Sequence, residues 1–268
     1  MKKLFFVLFL CISLNANVNQ AVLGILGSSE YNTHKNLINH IFKNQNSFYT
    51  AGTLDYTKIS QQLSSNNLPK LNLGRVQDID VTFQFNKNSK IALKNVSDIL
   101  KVLGQQDFIT SSQVVIGNQL KWSVKIKTAA AINPLRLSQE LQSADCKILD
   151  IKKEGINKWS YYIDSSRASV YKAEDLINNN EVLLKRPTKP YIVKVSNTSL
   201  INIVSNAGNS WYPKIIFYDN DFNIIEAVDK DTLHRNLKIS VPSGTKFIKI
   251  DDFYALANIK NGLTVTKE

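Results

Sequence analysis

The stretch 78-DIDVTFQF-85 decides how the first half of the chain folds. Its apolar residues alternate with polar ones, and they are Ile79, Val81, Phe83 and Phe85. Successive side chains of a β-strand point to opposite faces of a sheet, so the four apolar side chains share one face. The pattern predicts a half-buried strand with a core on one side and water on the other.

The segments that follow this strand predict a sheet with helices on one face. Leu93, Val96 and Leu100 recur at helical spacing, and 113-QVVIGNQLKWSVKIKT-128 forms two strand-like runs around a tight Gly-Asn turn. Asn133 and Pro134 begin a second helix, and two further strands follow it up to residue 164. This order predicts a split βαβ, ferredoxin-like module within an α+β chain.

The rest of the chain divides into three further segments. Residues 17–76 carry helical patterns and precede the module, which we assign to residues 77–184. Two prolines in 183-LLKRPTKPY-191 favour extended backbone and predict a linker over residues 185–190. Short β-rich runs separated by turn residues fill residues 191–268, which predicts an all-β sandwich or jelly roll.

The amino terminus, MKKLFFVLFLCISLNANVNQ, predicts export. A basic head, a short apolar run and small Ala16 together describe a signal peptide over residues 1–16, cleaved to release the protein into the periplasm. The apolar run is shorter than the ~20 residues of a spanning helix, which argues against an uncleaved anchor. Lipidation at Cys11 is the other alternative, and the bulky Leu10 before that cysteine argues against it.

The formal net charge is +11, which falls to +9 once Lys2 and Lys3 leave with the signal peptide. Such a charge can reflect nucleic-acid binding, but an exported protein rarely meets nucleic acid. Envelope proteins, anionic envelope surfaces and other copies of the chain are the expected partners. Lysines that only solubilise the surface would produce the same charge.

No catalytic pattern fits the sequence, so we expect neither enzyme activity nor a cofactor. The histidines His34, His40 and His234 are scattered and lack the spacing of metal ligands. The run 243-SGTK-246 resembles the S-x-x-K pattern of penicillin-recognising enzymes, but proline precedes it and glycine interrupts it. We interpret it as a turn. Cys146 would be left without a pairing partner after cleavage, which favours a buried, inert thiol.

Two weaker binding sites are predicted in the β-rich half. Asp219, Asp221 and Asn223 have the alternate spacing that begins a calcium loop, but a plain hairpin turn needs no ion and is the favoured interpretation. Trp211 and Tyr212 are candidates for stacking on a sugar ring, because jelly-roll modules often bind glycans.

A row of lysines is the remaining candidate surface. Lys121, Lys125 and Lys127 lie on one face of the predicted strand after the hairpin. A solvated sheet face would look the same, and the functional alternative is a docking surface for an acidic neighbour.

These observations predict an exported, non-catalytic assembly or scaffold protein of the cell envelope. The element order resembles that of modules in the periplasmic rings of bacterial secretion and flagellar machines. The resemblance implies a role in such a ring and in motility, with exposed strand edges available for self-association. The alternative is a module that binds glycan or peptidoglycan through the β-sandwich.

Overall fold

The computed structural model describes residues 17–268. The predicted signal peptide, its cleavage after Ala16 and the lipidation alternative at Cys11 lie outside the described residues. Within residues 17–268, no helix is both long enough and apolar enough to cross a membrane.

The first part of the described chain contains all five of its α-helices and its largest sheet. In chain order the elements are α1 (Val18–Thr33), α2 (Lys35–Ile41), β1 (Tyr49–Thr50), β2 (Thr53–Leu54), α3 (Tyr56–Ser64), β3 (Asn72–Phe85), α4 (Ser89–Val102), β4 (Phe108–Ile116), β5 (Gln119–Ala130), α5 (Pro134–Gln142), β6 (Lys147–Lys153) and β7 (Lys158–Asp164). The chain is therefore of the α+β class, as the sequence predicts.

Strand β3, which contains the alternating stretch 78–85, lies at the centre of this sheet, whose order is β4-β5-β3-β7-β6. Strand β5 pairs antiparallel with both β3 and β4, so β3 and β4 run parallel to each other on either side of it. Strand β7 pairs parallel with β3 and antiparallel with β6. The β6–β7 hairpin thus adds two strands on this side of the sheet, with β7 between β3 and β6.

The apolar face of β3 and the helices form one core. Ile79, Val81, Phe83 and Phe85 are all buried, as their alternation predicts. The same core contains buried residues of α1 and α3, among them Ile25. The predicted helical segment 17–76 therefore has no core of its own and packs on the α/β sheet.

The second part of the described chain is built from strands. They are β8 (Glu174–Asp175), β9 (Glu181–Leu184), β10 (Tyr191–Lys194), β11 (Leu200–Ser205), β12 (Pro213–Tyr218), β13 (Ile224–Asp229), β14 (Asn236–Ser240), β15 (Phe247–Asp252) and β16 (Leu263–Lys267). One sheet has the order β13-β12-β15-β10-β8 and the other β14-β11-β16-β9. Their inward side chains, such as Ile215 and Ile203, meet in a second core.

The predicted linker lies inside this second unit. Val182 and Leu184 precede residues 185–190, yet both belong to the second core, because β9 pairs with β16. The prolines therefore mark a crossing from one sheet of the unit to the other. Proline composition alone cannot distinguish such a crossing from a boundary between domains.

Helix α4 of the first unit contacts the second unit and the chain that leads to it. A small apolar cluster of Ile91, Val170, Ile192 and Phe247 lies where its first turn contacts the second unit. One turn further along, the buried amide of Asn95 donates to Ser169 O (2.8 Å) and accepts from Tyr171 N (2.8 Å). A buried amide with both groups satisfied fixes the connecting chain against the helix.

Asp98, on the same helix, receives two ammonium groups. Lys94 lies 2.9 Å and Lys189 2.7 Å from its carboxylate. Burial raises the pKa of Asp98, but the hydrogen bonds from Lys189 and Lys94 outweigh this effect, so that its pKa lies below the ordinary value of 3.8. The Lys189 bond therefore ties the second unit to α4 most strongly when Asp98 is ionised.

We expect Lys189→Met to lower the free energy of unfolding by about 0.5–1 kcal/mol at pH 7. The pKa of Asp98 is lower in the folded state than the ordinary value of 3.8. The stability that ionised Asp98 contributes is therefore complete above pH 3.8, and it is lost as the pH falls through the folded-state pKa. Urea unfolding of wild type and variant across this range measures the difference. In an Asp98→Asn background the same substitution should show no such pH dependence; an equal loss in both backgrounds would contradict the assignment.

Candidate interaction surface

The feature of the structure that most favours a binding role is the free edge of the first sheet, strand β4. Every residue from Ile109 to Ile116 is exposed. Ile109 is 73% exposed, and Val114, Val115 and Ile116 are 46 to 57% exposed. The strand carries no charged residue and no proline, two of the devices that block an edge from pairing with another chain, although it does contain a bulge between Thr110 and Ser112.

Strand β4 is held firmly along its inner side. It joins β5 through a two-residue hairpin in which Gly117 has φ 58°, as a turn with glycine first requires. Trp122 of β5 donates from Nε1 to Thr110 Oγ1 (3.0 Å) and meets the ring of Phe108 edge-on at 5.6 Å. The outer side of β4 therefore offers its backbone groups from a fixed position.

The opposite edge of this sheet, β6, is covered by helix α1. An ideal Cβ on Gly24 would lie only 2.3 Å from Ile151 O, so the helix backbone lies directly against the strand. Gly27 interrupts the helix with φ 73° and lies beside Lys153 O. Glu30 then pairs with Lys153 at 3.1 Å. A helix in this place closes the edge to any further strand.

The edges of the two sheets in the second unit are shorter or charged. Strands β8 and β9 have two and four residues. Strand β13 carries Glu226 and Asp229, and Lys238 of β14 pairs with Glu268. Short and charged edges resist addition of another strand. Among the edges of the three large sheets in residues 17–268, β4 alone is long, uncharged and open.

The predicted lysine row borders this open edge. Lys121, Lys125 and Lys127 are all exposed on the face of the sheet that the helices leave bare. On one side Lys125 and Lys127 lie opposite Asp80 and Asp78 of β3. On the other side Lys121 and Lys125 lie opposite Val114 and Ile109 of β4. The row is therefore partly balanced by carboxylates and adjoins the apolar side chains of the edge.

The predicted calcium residues form a compact turn. Asp219 Oδ1 accepts from the backbone N–H groups of Asp221 (2.9 Å) and Asn223 (2.8 Å), and Oδ2 accepts from Asn223 Nδ2 (2.9 Å). The hydrogen bond from the Asn223 side chain is the main cause that lowers the pKa of Asp219. The Lys90 ammonium contacts Asn223 Oδ1. These donors occupy oxygens that a cation would need, and they attach the turn to α4.

The aromatic rings at the surface are not the ones predicted from the sequence. Trp211 is fully buried and donates to Asp251 O at 3.0 Å, so it cannot stack on a ligand. Tyr212 is half-buried, and its ring meets that of Tyr254 at 4.9 Å and 86°. The exposed rings are those of Phe253 and Tyr254, which follow β15. The sequence could not distinguish these rings from core residues, since all lie in β-rich segments.

The exposed aromatic rings are held in place by the buried carboxylate of Asp252. It accepts hydrogen bonds from the backbone N–H groups of Tyr212, Tyr254 and Ala255 and from the Asn258 side chain, all within 2.8–2.9 Å. A carboxylate that accepts these hydrogen bonds fixes both the segment before β12 and the loop after β15. This end of the second unit thus presents a small rigid aromatic surface.

Cys146 is buried, and burial raises the pKa of its thiol to about 12. A protonated, inaccessible thiol is unreactive at neutral pH, as the sequence predicts for this residue. The residues that the structure describes contain no group of three or more histidine, cysteine, aspartate or glutamate side chains placed to share a metal ion.

Sequence reasoning missed the helix that closes the β6 edge. Its buried residues are Val18, Ala21, Val22, Ile25 and Leu26. They follow the i, i+3, i+4, i+7, i+8 spacing of an amphipathic helix, which was available in the sequence. The hydrophobic residues of β4 were visible as well, but no pattern within one strand shows whether it lies at an edge.

Comparison of this chain with protein-family models, curated proteins and solved structures finds no match.

Gly24→Ala tests the closure of the β6 edge. The added methyl group would collide with Ile151 O, and we expect a loss of about 1–3 kcal/mol in the free energy of unfolding, measured in urea. Gly155→Ala is the matched control, because nothing lies within 4 Å of its ideal Cβ. Equal stability of the two variants would contradict the close contact between α1 and β6.

Proposed function

We propose that this chain is an exported, non-catalytic component of a cell-envelope assembly and that it binds through the open edge of β4. The observation that carries the proposal is an uncharged nine-residue edge strand whose outer backbone groups have no strand partner among residues 17–268. Such an edge adds a further strand by main-chain hydrogen bonds, and the exposed side chains supply apolar contact. Edges without such a use are commonly blocked by charges, proline, bulges or covering elements, and of these devices β4 has only the bulge between Thr110 and Ser112.

The same proposal includes the finer description of the fold. We infer that the first sheet is a ferredoxin-like split βαβ unit widened by β7, and that the second unit is a jelly-roll-like sandwich. The parallel relation of β3 and β4 around β5 supports the first inference. Two face-to-face sheets around one core support the second. We infer from the resemblance in element order that the assembly is a periplasmic ring of a flagellar or secretion machine.

The lysine row gives the surface a preferred charge. Lys121 and Lys125 stand beside the apolar residues of β4, so carboxylates that a partner presents outside its pairing strand would gain contacts with them. Such surface pairs add mainly to the association rate and to specificity. Export to the periplasm is part of the proposal, and its support is the amino-terminal sequence.

A second candidate is binding of glycan or peptidoglycan at the aromatic surface of the sandwich. The observation in its favour is the exposure of Tyr254, 62%, on a loop fixed by buried Asp252. Aromatic rings held in a fixed position can stack on a flat sugar face. Retention of wild type, but not of a Phe253→Ala/Tyr254→Ala variant, on cell-wall material would support this candidate.

Two isoleucines of equal exposure provide the test of the main proposal. Ile109 of β4 is 73% exposed, and Ile156, in the β6–β7 turn, is 74% exposed. A lysine at position 109 should prevent strand addition, whereas a lysine at position 156 should leave it intact. We expect chemical crosslinking in intact cells to trap wild type and Ile156→Lys in complexes of the same size, and Ile109→Lys to lose most of that product.

The proposal is contradicted if wild type forms no complex, or if the two variants give the same complexes. Circular dichroism of each purified variant checks that the exposed substitution leaves the fold intact.

A further inference from the structure

The sequence of β4 is also suited to pairing with β4 of a second copy of the chain. This inference rests on the proposed function and names the partner. From Phe108 to Ile116 the strand reads FITSSQVVI, with apolar residues at both ends and four polar residues, 110–113, between them. Two such strands laid antiparallel bring the apolar end of one to the apolar end of the other. The absence of charge removes like-charge repulsion from this contact.

A bulge between Thr110 and Ser112 makes the matching register geometrically consistent. Ile109 and Val114 face the lysines of β5, so both lie on the solvent face of the sheet. Thr110 and Gln113 lie opposite buried Val124 and Trp122, which places them on the core face. Cross-strand neighbours must share a face. A register that pairs 109 with 114 and 110 with 113 satisfies this rule for both pairs.

The closed edge of β6 restricts the symmetry of such an assembly. A ring or filament made by strand addition needs two different free edges on every copy. In the first sheet α1 covers β6, so β4 can meet only another β4. Contact of one surface with the same surface on a second copy is isologous and closes as a dimer.

We propose that two copies of this chain associate through β4, antiparallel, with Ile109 of one copy opposite Val114 of the other and the two-fold axis between Ser111 and Ser112. The two five-stranded sheets then form one ten-stranded sheet with the helices of both copies on the same side.

Single cysteines in a Cys146→Ser background test the register. Oxidation of an equal mixture of Ile109→Cys and Val114→Cys proteins should link the two variants to each other, because these positions face one another across the axis. Each variant alone should link much less, since its two cysteines lie on opposite sides of the axis. Lys152→Cys, on the covered β6 strand, is the control and should not link; peptide mapping by mass spectrometry identifies each bond.

A charge exchange gives an independent test that a folding defect cannot imitate. Val114→Lys alone should weaken dimerisation roughly tenfold in sedimentation equilibrium, because each substitution occurs twice in the interface. Ile109→Glu together with Val114→Lys places opposite charges across both contacts and should restore most of the affinity. No restoration would overturn the register.

Other outcomes separate this inference from the proposed function. Linking of each single variant as efficiently as the mixture would indicate parallel pairing and overturn the two-fold antiparallel arrangement. Loss of complexes in Ile109→Lys cells without any β4–β4 bond would mean that the edge binds a different protein, so the dimer fails while the assembly role stands. If neither complexes nor bonds form, both fail.

Discussion

The contact between helix α1 and the backbone of β6 is the constraint on which the functional interpretation of this structure depends. A sheet of five strands has two edges, and each is a row of hydrogen-bonding groups that a further strand can pair with. Gly24 allows the helix to approach Ile151 O more closely than a residue with a side chain could. One edge is therefore closed by the chain itself, and any strand addition is directed to β4.

The rest of the molecule keeps the open edge in a defined position. The apolar face of β3 holds the sheet on its helices, and the β4–β5 hairpin fixes the inner side of the edge strand. Helix α4 attaches the sandwich through apolar contact at Ile91, the buried amide of Asn95 and the ion pair at Asp98. These contacts lie on elements away from the outer side of β4, so binding there requires no rearrangement of either core.

Much of the first unit could be predicted from the sequence, because strong local patterns specify it. The alternation at 79–85, the Gly117–Asn118 turn and the Asn133–Pro134 helix start all correspond to elements of the structure. Strand order could not be predicted in the same way, since it depends on contacts between distant segments. That order places β4 at an edge and β7 beside β3.

In the candidate sites, too, the features set by local sequence were predictable and those set by long-range contacts were not. Exposure of the lysine row follows from alternation within β5 and was predictable. The burial of Trp211 and the place of Val182 in the second core depend on how the sandwich closes, which composition does not specify. A role in the cell envelope remains a proposal built from the amino-terminal segment and the open edge.

Hydrogen exchange measured by mass spectrometry at low and high protein concentration shows directly which edge of the first sheet is open. We expect the outward-facing amides of 108–116, which β5 does not bond, to exchange quickly in dilute solution and to become protected as the concentration rises, while peptides covering 147–153 are protected at both concentrations. Rapid exchange in 147–153, or protection of the outward-facing amides of 108–116 that does not depend on concentration, would contradict an open β4 edge and a closed β6 edge.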